Sequence, residues 1–163
     1  RSVHPDTRVL SESTGYVRNY DTDPYGGYNP RSGYYEGDGT LFRPLHPDDR
    51  FGRKEPFLAA RESAATTGTT ATTVAVRKAT LRERGVVPTD DYLAVYDPAL
   101  DSGTLYRTAG TDVDRTAYEW VDGRVRGPEG THDPTALPLD RATAFDAMWF
   151  AWAGFYPDTE VHG

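Results

Sequence analysis

The segment TAFDAMWFAWAGFYP, residues 143–157, constrains the fold most strongly, because its aromatic side chains need a large apolar surface to pack on. Apolar residues recur in it at spacings of three and four, the period of an α-helix. Thr143 can cap the start of this helix, Asp146 suits its first turn, and Pro157 ends it. Since each buried aromatic side chain covers about 150–250 Å², we expect the helix to cover one face of a sheet.

The middle of the chain carries the strand signals from which that sheet can be built. Runs rich in β-branched and aromatic residues alternate with turn residues, and Asp122-Gly123 is a strong signal for a tight hairpin. A short helix, KATLRERG, is expected to stop at Gly85. The predicted strands are 69–78, 92–98, 104–109, the two halves of 117–127, and 136–141. We therefore predict an α+β fold, a mostly antiparallel sheet covered by the aromatic C-terminal helix.

Residues 15–55 have a different composition, rich in glycine, tyrosine, proline and aspartate. Turn dipeptides such as Asp23-Pro24 and Gly26-Gly27 dominate this stretch. A disordered linker rarely carries as many aromatic residues as the six tyrosines found here, so an ordered, tyrosine-rich loop is expected. We predict one domain over residues 1–163, in which a loop-rich region, 1–56, wraps around a regular α+β core, 57–163.

The charge of the chain disfavours one large class of partner. The formal net charge is −7, which opposes nucleic-acid binding through a general electrostatic field. Lysine occurs only twice, and aspartate outnumbers glutamate 17 to 8. Such an acidic, lysine-poor surface stays hydrated in strong salt and is typical of a halophilic organism. A GC-rich genome, which favours the same residue types, is the competing explanation.

Several further chemistries find no support in the sequence. The chain has no cysteine, which excludes disulfides and thiol nucleophiles in this segment. None of the four histidines has a second histidine two, three or four residues away, so no zinc signature is present. No apolar run approaches the roughly 20 residues that span a bilayer, so no membrane insertion by this segment is expected. We predict neither a metal nor a cofactor.

Nearly the same word occurs at 4–9, HPDTRV, and at 156–161, YPDTEV. In the second copy, proline stops the aromatic helix, Asp and Thr bond local backbone groups, and valine resumes a strand. The first copy has the same form. This repeat predicts a longer parent protein with two related units, of which this segment runs from the end of one to the end of the next. The upstream unit is then its expected partner.

The stretch HPDTRVLSESTGYVRNYDTDPYGGY resembles a hallmark of the prokaryotic family called domain of unknown function 3179, whose pattern is close to H-P-x-T-x-V-L-S-x-x-T-G-x-x-R-x-Y and then P-Y-x-x-Y. The matching positions are His4, Pro5, Thr7, Val9, Leu10, Ser11, Thr14, Gly15, Arg18, Tyr20, Pro24, Tyr25 and Tyr28. The segments 48–54 and 148–161 are similar to later parts of the same family.

The resemblance implies little about activity, because the family has no settled function. Its members commonly carry a Y-C-P-x-C segment upstream of the HPDT word, which hints at thiol redox chemistry. In the corresponding stretch of this chain, Asp97 and Leu100 stand where the two sulfur residues would be. A carboxylate and an alkyl chain cannot exchange disulfides, so the resemblance implies that thiol chemistry belongs to the missing upstream unit.

The polar and aromatic residues in or beside the family-like pattern are the candidate binding site. They are His4, Asp6, Arg18, Tyr20, Tyr25, Tyr28 and Lys54. These side chains can stack on a ligand and hold an anion, or they can tie a long loop to the sheet, which is the interpretation we favour.

Three functions are compatible with these residues, and the sequence leaves the identity of any catalytic residue open. The first is a non-catalytic binding or scaffold half of a two-unit protein, with a possible small-molecule ligand. The second is a hydrolase or transferase with a site around His4, Asp6 and Arg18, which requires those side chains to converge in a cleft. The third is a polysaccharide-binding module that uses exposed tyrosines of the loop.

Overall fold

The computed structural model of the chain describes residues 5–8, 11, 13, 15–17, 19–27, 30–63 and 71–163. The chain divides into two compact units, a first unit of residues 1–37 and a second unit of residues 38–163. No helix in the described ranges is long and apolar enough to cross a membrane. The arrangement in which residues 1–56 wrap around the remaining core stays a prediction.

In the first unit, turns dominate the tyrosine-rich stretch, and one 3₁₀ helix, Gly33–Tyr35, closes it. The backbone N–H of Tyr34 donates to the carbonyl of Tyr25 at 2.8 Å. The rings of the same two tyrosines meet edge to face, with centroids 6.1 Å apart. Turn hydrogen bonds and ring contacts therefore hold the described part of this segment.

The second unit contains the regular structure. Its strands are β1 Pro56–Glu62, β2 Thr72–Arg77, β3 Val86–Pro88, β4 Tyr92–Asp97, β5 Ser102–Arg107, β6 Glu119–Val121, β7 Arg124–Gly127, β8 Gly130–His132, β9 Ala144–Met148 and β10 Glu160–His162. Its α-helices are α1 Lys78–Arg84 and α2 Trp149–Ala153.

These strands form three sheets. A four-stranded sheet has the order β10-β2-β1-β9, and two three-stranded sheets have the orders β3-β4-β5 and β6-β7-β8. Every pairing is antiparallel except that of β10 with β2, which is parallel. The prediction of a mostly antiparallel α+β fold with a C-terminal helix is confirmed.

The alternation of side chains along β1 explains how the second unit is layered. Phe57 and Ala59 face the tryptophans of α2, whereas Leu58 and Ala60 face the β3-β4-β5 sheet. The far face of that sheet packs in turn on β7 through Val125. The sheets are therefore stacked, with apolar side chains filling each interval.

The aromatic helix is shorter than its sequence pattern predicts. Residues 144–148 pair with β1 as a strand, and only Trp149–Ala153 is helical. The backbone N–H and C=O groups along the edge of β1 pair with this half of the segment. If the segment were helical, these groups of β1 would be left without those partners. Trp149 is fully buried beside Phe57, with ring centroids 4.9 Å apart, so the predicted covering of the sheet by aromatic side chains holds.

The second copy of the repeated word has the form that the sequence predicts. Pro157 and Asp158 form a turn after α2, and β10 begins at Glu160. The indole N–H of Trp152 donates to the Thr159 hydroxyl at 2.9 Å, which ties the turn to the helix.

Residues 136–141 were expected to form a strand and instead make one isolated bridge, between Tyr106 and Arg141. Pro138 within this stretch has no N–H to donate to a ladder. The stretch still runs along β5, since the Arg107 N–H donates to the Asp140 carbonyl at 2.8 Å.

Candidate functional site

A polar cleft of about 520 Å³ opens at one end of β4 and β5 in the second unit. Its walls come from the last residue of β1, the turn into β4, the end of β5, and the loop that follows β5. The lining residues are Glu62, Asp90, Asp91, Tyr92, Arg107, Thr108, Ala109, Gly110, Thr111, Val113 and Arg115. Backbone bonds fix the two loops against each other, because the N–H groups of Thr108 and Ala109 both donate to the Asp91 carbonyl.

An ion pair between buried Glu62 and partly exposed Arg107 forms the base of the cleft. The Arg107 guanidinium donates to both carboxylate oxygens of Glu62, from Nε at 2.9 and 3.0 Å and from Nη2 as well. Its Nη1 donates to the Arg141 carbonyl at 2.6 Å. The guanidinium holds the pKa of Glu62 below its usual range, so this carboxylate stays charged and satisfied at neutral pH.

Tyr92 completes the base. Its hydroxyl donates to Glu62 Oε2 at 2.9 Å, and the Thr72 hydroxyl lies 3.2 Å from the same phenol oxygen. Burial raises the pKa of Tyr92 to about 12, and the hydrogen bond to the Glu62 carboxylate adds to the rise. The phenol therefore stays protonated, and the base of the cleft is a closed hydrogen-bond network.

The rim of the cleft carries polar groups that the protein does not satisfy. The Asp90 and Asp91 carboxylates make no hydrogen bond or ion pair to any described residue. Among the described residues Arg115 is anchored at one nitrogen, Nη1, which donates to the Thr89 carbonyl at 2.7 Å. The other donors of the guanidinium are left for another group. The Thr108 hydroxyl is buried and has no partner in the described part of the chain.

A second hollow, of about 320 Å³, adjoins the cleft and shares Asp90, Val113 and Arg115 with it. The Arg115 side chain therefore stands between two depressions of one polar surface. Its 3₁₀ helix, Arg115–Ala117, is capped by Asp114, whose carboxylate accepts from the Thr116 N–H at 2.9 Å. This cap fixes the backbone that carries the guanidinium.

Two further ion pairs lie inside the second unit. Lys78 Nζ donates to Asp146 at 2.6 Å, and the Ser102 hydroxyl donates to the other oxygen of the same carboxylate. Arg82 donates twice to Asp101, whose pKa it holds below the usual range. In the described ranges no group of three or more His, Cys, Asp or Glu side chains is placed to hold a metal ion.

The residues that the sequence singled out fall in different parts of the chain. His4, Arg18 and Tyr28 lie outside the described residues. Asp6, Tyr20 and Tyr25 are exposed in the first unit, whereas Lys54 is buried in the second. A site formed by all seven therefore stays a prediction.

The cleft residues were missed by sequence reasoning because they are far apart in the chain. Glu62 is separated from Tyr92 by 30 positions and from Arg107 by 45. One signal was available, since Arg107 lies within the predicted strand 104–109 and Glu62 comes two residues after the apolar residues 57–60. Charged residues at strand ends often meet at one edge of a sheet.

Of the two positions that the resemblance matches to sulfur residues, Asp97 ends β4 and Leu100 lies in the turn that leads to β5. The Asp97 carboxylate accepts from the Ala99 N–H at 2.9 Å and holds this turn. Leu100 is largely exposed. Asp97 therefore has a local structural use in this chain.

The fold and the cleft define the class of protein, an α+β protein of stacked, mostly antiparallel sheets with a polar cleft at the strand ends. The sequence profile of the family described as "Protein of unknown function (DUF3179)" matches residues 1–159 of the 163-residue chain. The chain belongs to this family, as its N-terminal motif predicted. No match was found among the curated proteins or among the solved structures.

Proposed function

We propose that this chain is the non-catalytic binding half of a larger two-unit protein, and that its cleft binds a small molecule. The proposal rests on the difference between the base of the cleft and its rim. The base is an ion pair with its hydrogen bonds filled, whereas Asp90, Asp91 and the Thr108 hydroxyl at the rim have no partner among the described residues. A rigid base beneath unsatisfied polar groups suits binding.

The direction of the pKa shifts supports a binding role over general acid–base catalysis. A catalytic acid or base works best when its pKa lies near the working pH. In the described residues, the shifted carboxyl pKa values all fall, and the shifted tyrosine and arginine pKa values all rise. Each shift moves the pKa of the group further from neutral pH, so the group keeps its ordinary protonation state there.

A scaffold role in the same two-unit protein has separate support. In the segment 41–45, LFRPL, Phe42 is 85% exposed and Leu45 is 75% exposed. Phe155 is 72% exposed. It lies near the same segment, because a Cβ built on the preceding residue, Gly154, would be 3.9 Å from Pro44. Exposed apolar side chains grouped in this way suit a protein interface. The related unit that the repeated word predicts is the occupant we propose, and thiol chemistry would belong to it.

A thermal-shift screen tests the binding role directly. The full chain is screened against a library of small polar molecules, and each compound that raises the melting temperature is titrated to saturation. We expect saturable ligands whose effect is lost in Asp91→Asn and kept in Asp158→Asn, an exposed control. Catalytic turnover of such a ligand would contradict the proposal, and so would ligands that stabilise both variants equally.

The docking role is tested in the two-unit parent protein with Phe42→Asp and, as the matched control, Leu100→Asp, which places the same charge at another exposed apolar position. We expect Phe42→Asp to increase proteolytic cleavage between the two units and Leu100→Asp to leave it unchanged. Equal cleavage in both variants would show that residues 41–45 are not the interface.

A further inference from the structure

We infer that the cleft takes a small zwitterion, a compound that carries an ammonium group and a carboxylate. This inference rests on the proposed binding function and adds the chemical class of the ligand. It follows from the charges that remain at the rim after the pairs at the base are formed.

The charges that remain have both signs. Glu62 and Arg107 neutralise each other at the base, which leaves Asp90 and Asp91 as anions and Arg115 as a cation. A simple anion would be repelled by the two carboxylates, and a simple cation would leave the remaining donors of Arg115 without a partner. A zwitterion places its ammonium group on the aspartates and its carboxylate on the remaining donors of Arg115.

Thr108 provides an independent indication that a polar ligand enters. The residue is 4% exposed, its hydroxyl has no partner among the described residues, and it lines the cleft. A buried hydroxyl without a hydrogen bond costs about 1–3 kcal/mol. A ligand oxygen or ammonium group within reach would satisfy it, because a hydroxyl both donates and accepts.

A neutral sugar fits the lining less well. Sugars usually stack a face on an exposed aromatic ring, and Tyr92, the aromatic residue of the cleft lining, is 2% exposed. Its ring packs in the core beside Ala94 and Leu105, and its hydroxyl is committed to Glu62. The volume of about 520 Å³ lies within the range of small-molecule sites, about 300–1,000 Å³.

Isothermal titration calorimetry with a matched series of probes tests the inference on the full chain at constant ionic strength. The zwitterions are glycine, β-alanine and γ-aminobutyrate, and the single-charge controls are butyrate and butylamine, which have the carbon chain of γ-aminobutyrate. We expect at least one zwitterion to bind, at least tenfold more tightly than either control. Equal binding of butylamine or butyrate would overturn the ligand class and leave the binding function standing.

Two variants connect this binding to the cleft. Asp91→Asn removes one rim charge, and we expect at least a tenfold loss of zwitterion affinity, whereas Asp158→Asn should leave the affinity unchanged. Thr108→Val keeps the side-chain shape and removes the unpaired hydroxyl, so we expect weaker binding with a melting temperature equal to or above the wild type. Unchanged affinity in both rim variants would overturn the inference.

The two proposals fail separately. If no zwitterion binds and the thermal screen finds another ligand that depends on Asp91, only the ligand class is wrong. If neither experiment finds a ligand, the binding function falls with it.

Discussion

Glu62 joins three strands at the base of the cleft, because it ends β1 and bonds to side chains of β4 and β5. Its carboxylate is 5% exposed at the end of β1, accepts from Arg107 at the end of β5, and accepts from Tyr92 at the start of β4. Removing one partner of such a network leaves the other buried group unsatisfied. The residue therefore positions the walls of the cleft as well as its base.

We predict that Glu62→Gln lowers the free energy of unfolding by about 2–3 kcal/mol. The Arg107 side chain is about one-third exposed, and water can therefore satisfy part of its lost charge, which keeps the loss below that of a fully buried pair. Urea denaturation measures it, with Glu129→Gln on the surface as the control. Equal stability of the two variants would contradict the structural role of the pair.

Acid should weaken the fold through the same carboxylates. The pKa values of Glu62 and Asp101 are lowered by Arg107 and Arg82 respectively. Their stabilisation is therefore complete above the unfolded-state pKa of about 4 and is lost as the pH falls through the lower folded-state pKa.

The acid prediction is checked by the free energy of unfolding measured between about pH 6 and pH 3. We expect the wild type to lose stability more steeply below about pH 4 than Glu62→Gln or Asp101→Asn does. Asp158→Asn should follow the wild type. If Glu62→Gln and Asp101→Asn both lose stability below about pH 4 as steeply as the wild type, these carboxylates do not control acid unfolding.

At the scale of elements, Gly85 shows how local sequence and distant packing combine. It ends α1 at φ 71°, with its N–H donating to the Leu81 carbonyl at 2.8 Å. A Cβ at this position would lie 2.0 Å from the Trp120 ring. Gly85 is thus required both by its backbone and by the approach of β6.

We predict that Gly85→Ala destabilises the protein by about 3 kcal/mol, from left-handed strain and from overlap with the indole. Gly123→Ala is the matched control, because Gly123 has φ 79° and open space around it, and it should cost about 1 kcal/mol. Thermal or urea unfolding measures both. Similar losses would show that Trp120 moves aside freely.

Local signals were enough to predict some elements and not others. Gly85 as a helix stop and Asp122-Gly123 as a hairpin turn depend on neighbouring residues, and both hold, the turn with φ values of 50° and 79°. Strand β9 was missed because AFDAM continues the helical spacing of the tryptophans. Its partner, β1, lies more than 80 positions earlier, and only that pairing makes it extended.

The cleft could not be predicted from the sequence for a related reason. Its base is a side-chain network across β1, β4 and β5, and its rim is a pair of loops joined by backbone bonds. The tyrosines and the repeated HPDT word were instead selected from the sequence, because these features are visible as patterns along the chain. Spacing along the chain carries no signal for contacts that the stacking of sheets creates.

At the scale of the whole molecule, the negative net charge affects stability. A net charge of −7 on 163 residues makes charges of the same sign repel one another in the folded state. The internal pairs, Glu62 with Arg107 and Lys78 with Asp146, are partly shielded from solvent. Salt should therefore screen the surface repulsion more than it weakens the pairs.

We predict that raising KCl from about 0.1 M to about 1 M, which shortens the Debye length from about 10 Å to about 3 Å, raises the melting temperature. Differential scanning calorimetry measures the shift, and NaCl at the same concentrations should act alike if screening is the cause. A lower melting temperature in high salt would show that the ion pairs outweigh surface repulsion.

The central claim is that the cleft, and not the tyrosine-rich stretch, is where this protein binds. Chemical-shift mapping of the ¹⁵N-labelled full chain, titrated with a ligand from the thermal screen or the zwitterion series, tests it most directly. We predict saturable shifts at the amides of Asp91, Thr108 and Arg115. Shifts confined to residues 15–35, or no saturable shift anywhere, would contradict it.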